Sequence, residues 1–194
     1  MKIRTIVFST GLLAIALVLA GCTTSGGMGG MDHNSPPPSE SSSSAEFNDA
    51  DVAFATNMIA HHQQAIEMAD LVLAKSGIDD RVTRLAEDIK AAQGPEIITM
   101  TDWLTEWDQP TDHSGMDHGG MMSDDDMAAL EDASGVEASR LFLEQMIEHH
   151  QGAIDMAQEE IETGSNADAL ALAQTIIDAQ TAEIATMHDI LDTL

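Results

Sequence analysis

The pattern Met-Ile-x-His-His-Gln-x-Ala-Ile-x-Met-Ala occurs twice in this chain, at Met58–Ala69 and at Met146–Ala157. Phe54 and Phe142 precede the two copies at the same distance. A second matched segment follows each copy. Leu85-Ala86, Ile89, Ala92-Gln93, Glu96-Ile97 and Met100 align with Leu172-Ala173, Ile176, Ala179-Gln180, Glu183-Ile184 and Met187. The spacing is 88 residues from Met58 to Met146 and 87 from Leu85 to Leu172, so one residue was gained or lost in a loop. Each unit therefore reads as helix–turn–helix, and two units make four helices. The period is too long and the copies too few for a solenoid.

Local signals place the helices. Asn48-Asp49 caps a first helix running to about Lys75, with Gly77 as its stop. Asp79-Asp80 opens a second that reaches roughly Trp107, ahead of Pro110. Pro95 falls inside that second pattern and is expected to kink it or to split it near Gln93-Gly94. Ser134-Gly135 precedes a third helix to about Thr163, and Asn166 caps the fourth; Asp124 to Asp132 offer a helical turn of their own. No strand pattern competes. The fold class is all-α, a four-helix bundle built from two repeated helical hairpins. Repeat one covers residues 47–107, a Met/His-rich linker 108–123, and repeat two 124–194.

The N-terminal segment reads differently. Lys2 and Arg4 make a basic start, Ile6 to Ala20 is mostly apolar, and Leu19-Ala20-Gly21-Cys22 fits a bacterial lipobox. Residues 1–21 are thus expected to be a lipoprotein signal, with lipid attached at Cys22 and the protein held outward-facing at the cell envelope. An ordinary secretory signal or a short membrane anchor is the alternative, although the apolar run is short for a spanning helix. Cys22 is the only cysteine, which removes thiolate from any metal site and excludes an intramolecular disulfide. Residues 22–46, rich in Gly, Ser and Pro, read as a disordered tether, and the remainder is long enough for one core.

The formal net charge is −27. Phosphate binding needs clustered Lys and Arg, so nucleic acid is excluded as a partner. An acidic surface concentrates cations, which suits a metal binder and equally suits plain solubility.

The chemistry lies on the helix faces. At 100° per residue, Met58, His61, His62, Ala65, Met68 and Ala69 share one face, while Glu67 points to solvent. Met146, His149, His150, Ala153, Met156 and Ala157 repeat the arrangement, with Asp155 outward. On the partner helices Glu96 shares the core side with Leu85, Ile89, Met100 and Trp103, and Glu183 with Leu172, Ile176, Met187 and Ile190. A carboxylate on a core face is costly unless paired. Its natural partner is a facing imidazole, which it orients while the other ring nitrogen binds metal. Glu96 and Glu183 are read as such orienters, direct ligation being the alternative, and Gln93 and Gln180 one turn earlier supply further hydrogen bonds. A Met stripe or an inward His is often plain core, and a structural His–Glu network is the competing reading.

Imidazole with thioether favours a soft or borderline metal. Di-iron bundles carry Glu three residues before the ligating His; here Met58 and Met146 stand at those positions. Copper, Cu(I) in particular, is the expected ion, with silver and zinc as further options. The candidate ligands are His61, His62, His149, His150, Met58, Met68, Met146, Met156, Met100 and Met187. The segments around Met31-Asp32-His33 and Met116-Asp117-His118-Gly119-Gly120-Met121-Met122 form a second group, with His113 just upstream. His33, His113, His118, Met116, Met121 and Met122 are candidates for low-affinity metal capture, or simply low-complexity linker.

The paired motifs resemble a bacterial family catalogued as domain of unknown function 305. The resemblance covers about residues 47–194. It implies a ferritin-like four-helix bundle and copper handling in the periplasm or outside the cell. It also carries the family's His and Met onto His61, His62, Met58 and Met68, and onto His149, His150, Met146 and Met156. The leading expectation is an extracytoplasmic lipoprotein that sequesters or transfers copper and contributes to copper tolerance, with a copper-delivery protein as a potential partner. A copper-dependent oxidoreductase using the same ligands and a metal-free envelope scaffold are the alternatives. No nucleophile–base arrangement or substrate pocket is legible, so the protein is expected not to be an enzyme.

Overall fold

The computed structural model describes residues 46–111 and 119–194. The expected signal, tether and lipidation site at Cys22 lie outside the described residues, as do His33, His113, Met116 and His118. Within the described residues there are five helices: α1 (Asp49–Leu73), α2 (Asp80–Glu106), α3 (Asp124–Asp132), α4 (Gly135–Thr163) and α5 (Ala167–Leu191). None of them is long and apolar enough to cross a membrane.

The capping residues read from the sequence set the boundaries. Asn48 accepts from the Ala50 and Asp51 amides in a capping box, Asp79 from Arg81, and Asn166 from Asp168 and Ala169. The turn expected over Asp124–Asp132 is a full short helix with its own capping box from Ser123. Its Leu130 is buried beneath α1 and α4. The expected split of the second helix at Gln93-Gly94 does not occur, and α2 runs unbroken through Pro95. Ala91, whose carbonyl the proline leaves without an amide, and Pro95 itself are both exposed, so water can take the place of the lost bond.

Helices α1 and α2 form one hairpin and α4 and α5 the other, and the hairpins meet along α1 and α4. The apolar core divides into two clusters. One joins Met68, Val72, Leu85, Ile89, Phe142, Leu143, Met146 and Met187, and the other joins Phe54, Met58, Met100, Leu104, Ala153, Ala157 and Ile176. The start of the α1 motif thus lies against the end of the α4 motif and the reverse, which makes α1 and α4 antiparallel. Phe47 stacks on Trp107 at 4.8 Å between ring centroids and closes the open end of the first hairpin.

Two crossed ties lock the hairpins together, and they occupy equivalent positions in the repeats. Buried Asp51, in the first turn of α1, accepts from the backbone amides of Ser165 (3.0 Å) and Asn166 (2.9 Å) at the start of α5. Its counterpart Ser139, in α4, accepts from the Asp79 amide (3.1 Å) at the start of α2. Each tie satisfies a helix-start donor with a side chain from the other hairpin. Glu160 lies beside Asp51 and is only 1% exposed. Burial, together with the facing Asp51, raises its carboxyl from an ordinary 4.5 to about 8. Burial would raise Asp51 too, but the Asn166, Asn48 and Ser165 hydrogen bonds outweigh it and hold that carboxyl below its usual range. Gly164 leaves the space that the Glu160 carboxyl fills. At neutral pH the Glu160 carboxyl therefore keeps its proton.

A raised folded-state pKa means that the folded protein holds a proton the unfolded chain has released. Glu160 thus costs nothing below pH 4.5, and its cost grows as pH rises until its proton leaves near 8. Stability should fall across that window by at most about 1.4 kcal/mol per pH unit. Glu160→Gln, which keeps a donor for Asp51, should flatten the profile and exceed the parent in stability at about pH 8. Urea unfolding of both proteins across this range measures it, and parallel profiles would contradict the assignment.

Candidate metal centre

The midpoints of α1 and α4 bring the two His pairs together. His61, His62, His149 and His150 are all fully buried. The rings of His61 and His149 touch across the helix crossing, with centroids 3.6 Å apart and planes inclined at 40°. Through this contact both motifs converge on one layer. Ala65 and Ala153, one turn on from His61 and His149, are buried with no side chain large enough to separate the rings.

The outer member of each pair turns toward its own hairpin partner. His62 Nε2 is 2.7 Å from Glu96 Oε2, and His150 Nε2 is 2.6 Å from Glu183 Oε2. With the carboxylate accepting, Nε2 carries the hydrogen and Nδ1 keeps its lone pair in the neutral ring. His62 Nδ1 and His150 Nδ1 are buried and make no hydrogen bond. Each glutamate is partly exposed at the rim between α2 and α5, with side-chain exposures of 19% and 22%. Buried Gln93 and Gln180 join the glutamates around a cavity of about 20 Å³ there, but neither Gln carbonyl oxygen has a hydrogen-bond partner. They line the rim and do not hold the histidines.

Electrostatics keep His149 uncharged. Burial drives the His149 imidazole well below its ordinary 6.5, and proximity to His61, His150 and His62 adds to the depression. A cluster of imidazoles in an apolar core cannot all carry protons, so lone pairs are presented to whatever enters.

Thioethers lie on both sides. Met58 and Met100 are fully buried in one cluster, with Met156 packed against it. Met68, Met146 and Met187 are fully buried in the other, joined there by Met122. Each cluster thus mixes two methionines of one repeat with one of the other. Met121 is only partly buried. Among the described residues no group of three or more His, Cys, Asp or Glu is placed to hold a metal ion. A site here draws on imidazole and thioether together. His188 is exposed and takes no part.

The family profile described as a domain of unknown function (DUF305) matches residues 51–191. The chain belongs to the DUF305 family. A DUF305 protein from Streptomyces coelicolor, described as a candidate secreted protein, is 34% identical with a TM-score of 0.70, over 74% of this chain and 93% of its own. A DUF305 fragment from Deinococcus radiodurans is 32% identical with a TM-score of 0.70, over 76% of this chain and 98% of its own. CopM in its Cu(I)-bound form is 32% identical with a TM-score of 0.63, over 74% of this chain and 96% of its own. CopM is also solved in Cu(II)-bound, Ag-bound and apo forms. No curated protein matches the chain.

Because His149 is neutral when folded and protonatable when unfolded, its contribution to stability is complete above pH 6.5 and is lost as pH falls below that value. In the metal-free protein its ring resonances should stay at their neutral positions well below pH 6.5. Proton–nitrogen correlation spectra of the imidazoles read this directly, and a midpoint near 6.5 would refute the neutral layer.

Proposed function

We propose that this DUF305 protein binds copper, chiefly as Cu(I), within the bundle and buffers or passes it on outside the cytoplasm. The observation that carries the reading is the His61–His149 contact, flanked by His62 and His150 with unused Nδ1 atoms. Neutral imidazoles and thioethers form a donor set suited to a soft cation. The likeness to CopM, whose structures hold Cu(I), Cu(II) and silver, supports it at 32% identity. Silver fits the same donors, and zinc fits the imidazoles alone.

In this mechanism His61, His62, His149 and His150 supply nitrogen, and Met58, Met68, Met100, Met146, Met156 and Met187 supply sulfur from the two sides. Glu96 and Glu183 fix the orientation of His62 and His150 from the rim. His149 needs no deprotonation to ligate, since burial already holds it neutral, so an incoming ion displaces no proton from it. The Met/His-rich linker would gather ions at low affinity, and a lipid anchor at Cys22 would keep the domain at the membrane. Binding without turnover is the role we favour, with the four imidazoles fully buried.

Replacing His61, His62, His149 and His150 together by Ala should abolish copper retention after loading and desalting, measured by mass spectrometry with helicity checked by circular dichroism. Equal retention by parent and variant would sink the bundle site. Glu96→Gln with Glu183→Gln should weaken copper affinity by about 10–100-fold, read by competition with a chromophoric Cu(I) chelator. Unchanged affinity would make the carboxylates structural only.

A further inference from the structure

The two copies of the motif differ at three positions, and one difference has a structural counterpart on each helix. Where repeat one has Gln64, repeat two has Gly152. The Gln64 side-chain amide grips one residue of the inter-repeat linker by both backbone groups. Its Oε1 accepts from the Met122 amide at 2.7 Å, and its Nε2 donates to the Met122 carbonyl at 2.8 Å. Gly152 receives the same linker two residues earlier. A Cβ on Gly152 would lie 2.6 Å from the Gly120 Cα, and one on Gly120 2.5 Å from the Gly152 Cα. Gly120 also has a φ of +86°, which a side chain disfavours. Equivalent positions have thus diverged into a clamp and a seat for one strand of linker.

The docked segment ends in a donor. Met122 is 7% exposed and packs in the cluster that contains Met68, Met146 and Met187. Met121, its neighbour, stays partly exposed. The Gly120–Gly152 contact also walls an open groove of about 430 Å³ along which Glu148, Asp155 and Glu159 stand. An acidic mouth, a part-exposed thioether and a buried thioether are therefore joined through four consecutive residues.

We propose that Gly119–Met122 is a fixed relay through which a monovalent soft cation enters the bundle, Met122 handing it to the Met68, Met146 and Met187 thioethers. This rests on the copper-binding reading above. The step is ligand exchange: a metal–sulfur bond to the incoming methionine forms as the one to the outgoing methionine breaks. The ion stays Cu(I), the thioethers stay neutral, and no electron or proton moves. Gln64 and Gly152 are positioning residues that hold Met122 in place.

The test uses the full chain and Cu(I) presented as its bicinchoninate complex, with loss of the chelate colour followed by stopped flow. Met122→Leu removes the sulfur and keeps the apolar volume, whereas Gly152→Ala keeps Met122 and pushes the linker off its seat. Both should slow loading roughly tenfold, since transfer depends on position, while the copper retained at equilibrium stays at the parental level. Hydrogen exchange at the Met122 amide should be slow in the parent and in Met122→Leu, and fast in Gly152→Ala. Parental loading rates in both variants, with retention still lost in the quadruple His variant, would overturn the relay and leave the bundle site standing. Lowered equilibrium retention in Met122→Leu would overturn it too, making Met122 a resident ligand. Failure of the parent to retain copper would remove both readings.

Discussion

The contact between His61 and His149 is the constraint around which this bundle is arranged. Two imidazoles at 3.6 Å between centroids, fully enclosed, can persist only if both rings are neutral and the backbones on either side are held close. Burial and the mutual proximity of four rings secure the first condition for His149. Small neighbours such as Ala65 and Ala153 secure the second. A layer of this kind is a poor way to stabilise a core. Unmatched ring nitrogens cost free energy that leucine in their place would not. The chain keeps His62 Nδ1 and His150 Nδ1 buried without partners in a core otherwise supplied with methionine and aliphatic side chains. That choice is what supports the binding role proposed above.

The repeat explains how such a layer is framed. Because the hairpins are copies, every device on one side recurs on the other: His62 with Glu96 and His150 with Glu183 at the rim, and Asp51 and Ser139 as crossed ties to the opposite hairpin. Pseudo-twofold packing brings equivalent residues together at the axis, and His61 and His149 are the pair that meets there. The symmetry is broken where the single connecting linker must lie on one side only. Gln64 and Gly152 mark that break, and so does the protonated Glu160 that backs Asp51 while Ser139 has no such neighbour role to share.

Most of the architecture was legible because it is written twice. The helices, their caps at Asn48, Asp79 and Asn166, and the inward faces of the His and Met residues follow from periodicity and were read at nearly their true bounds. The Glu96 and Glu183 pairings with His62 and His150 followed from the cost of a core-facing carboxylate. Pro95 misled, because periodicity marks where a helix is weakened and not whether solvent can satisfy the freed carbonyl. Gln93 and Gln180 do stand at the rim beside the glutamates, but their carbonyl oxygens find no partner there, since a shared face does not fix the reach of an amide. Asp51 and Glu160 went unnoticed because acidic residues at helix ends are ordinary. Aligning Asp51 with Ser139 would have shown that a position facing the other hairpin is polar in both copies. The linker seat was hidden for the opposite reason. Its signal lies in the positions where the copies differ, and attention to the repeat favours those where they agree.

The acidic surface and the neutral interior separate two tasks that one ligand set could not perform. A net charge of −27 attracts cations without regard to kind, and magnesium and calcium are attracted as strongly as any. Hard ions need oxygen donors in number. Beside the imidazole layer the described carboxylates are Glu96 and Glu183, which stand at the rim with one oxygen each engaged by a histidine, while the buried Asp51 and Glu160 lie at the end of the bundle where Asp51 is tied to the start of α5. Desolvating a hard divalent ion without replacement oxygens is prohibitive, so the core itself rejects what the surface collects. A soft monovalent ion loses less on leaving water and regains it from sulfur and nitrogen. On the copper-binding reading, selection would therefore follow from where the carboxylates are placed: many outside, and beside the imidazole layer two that each engage a histidine.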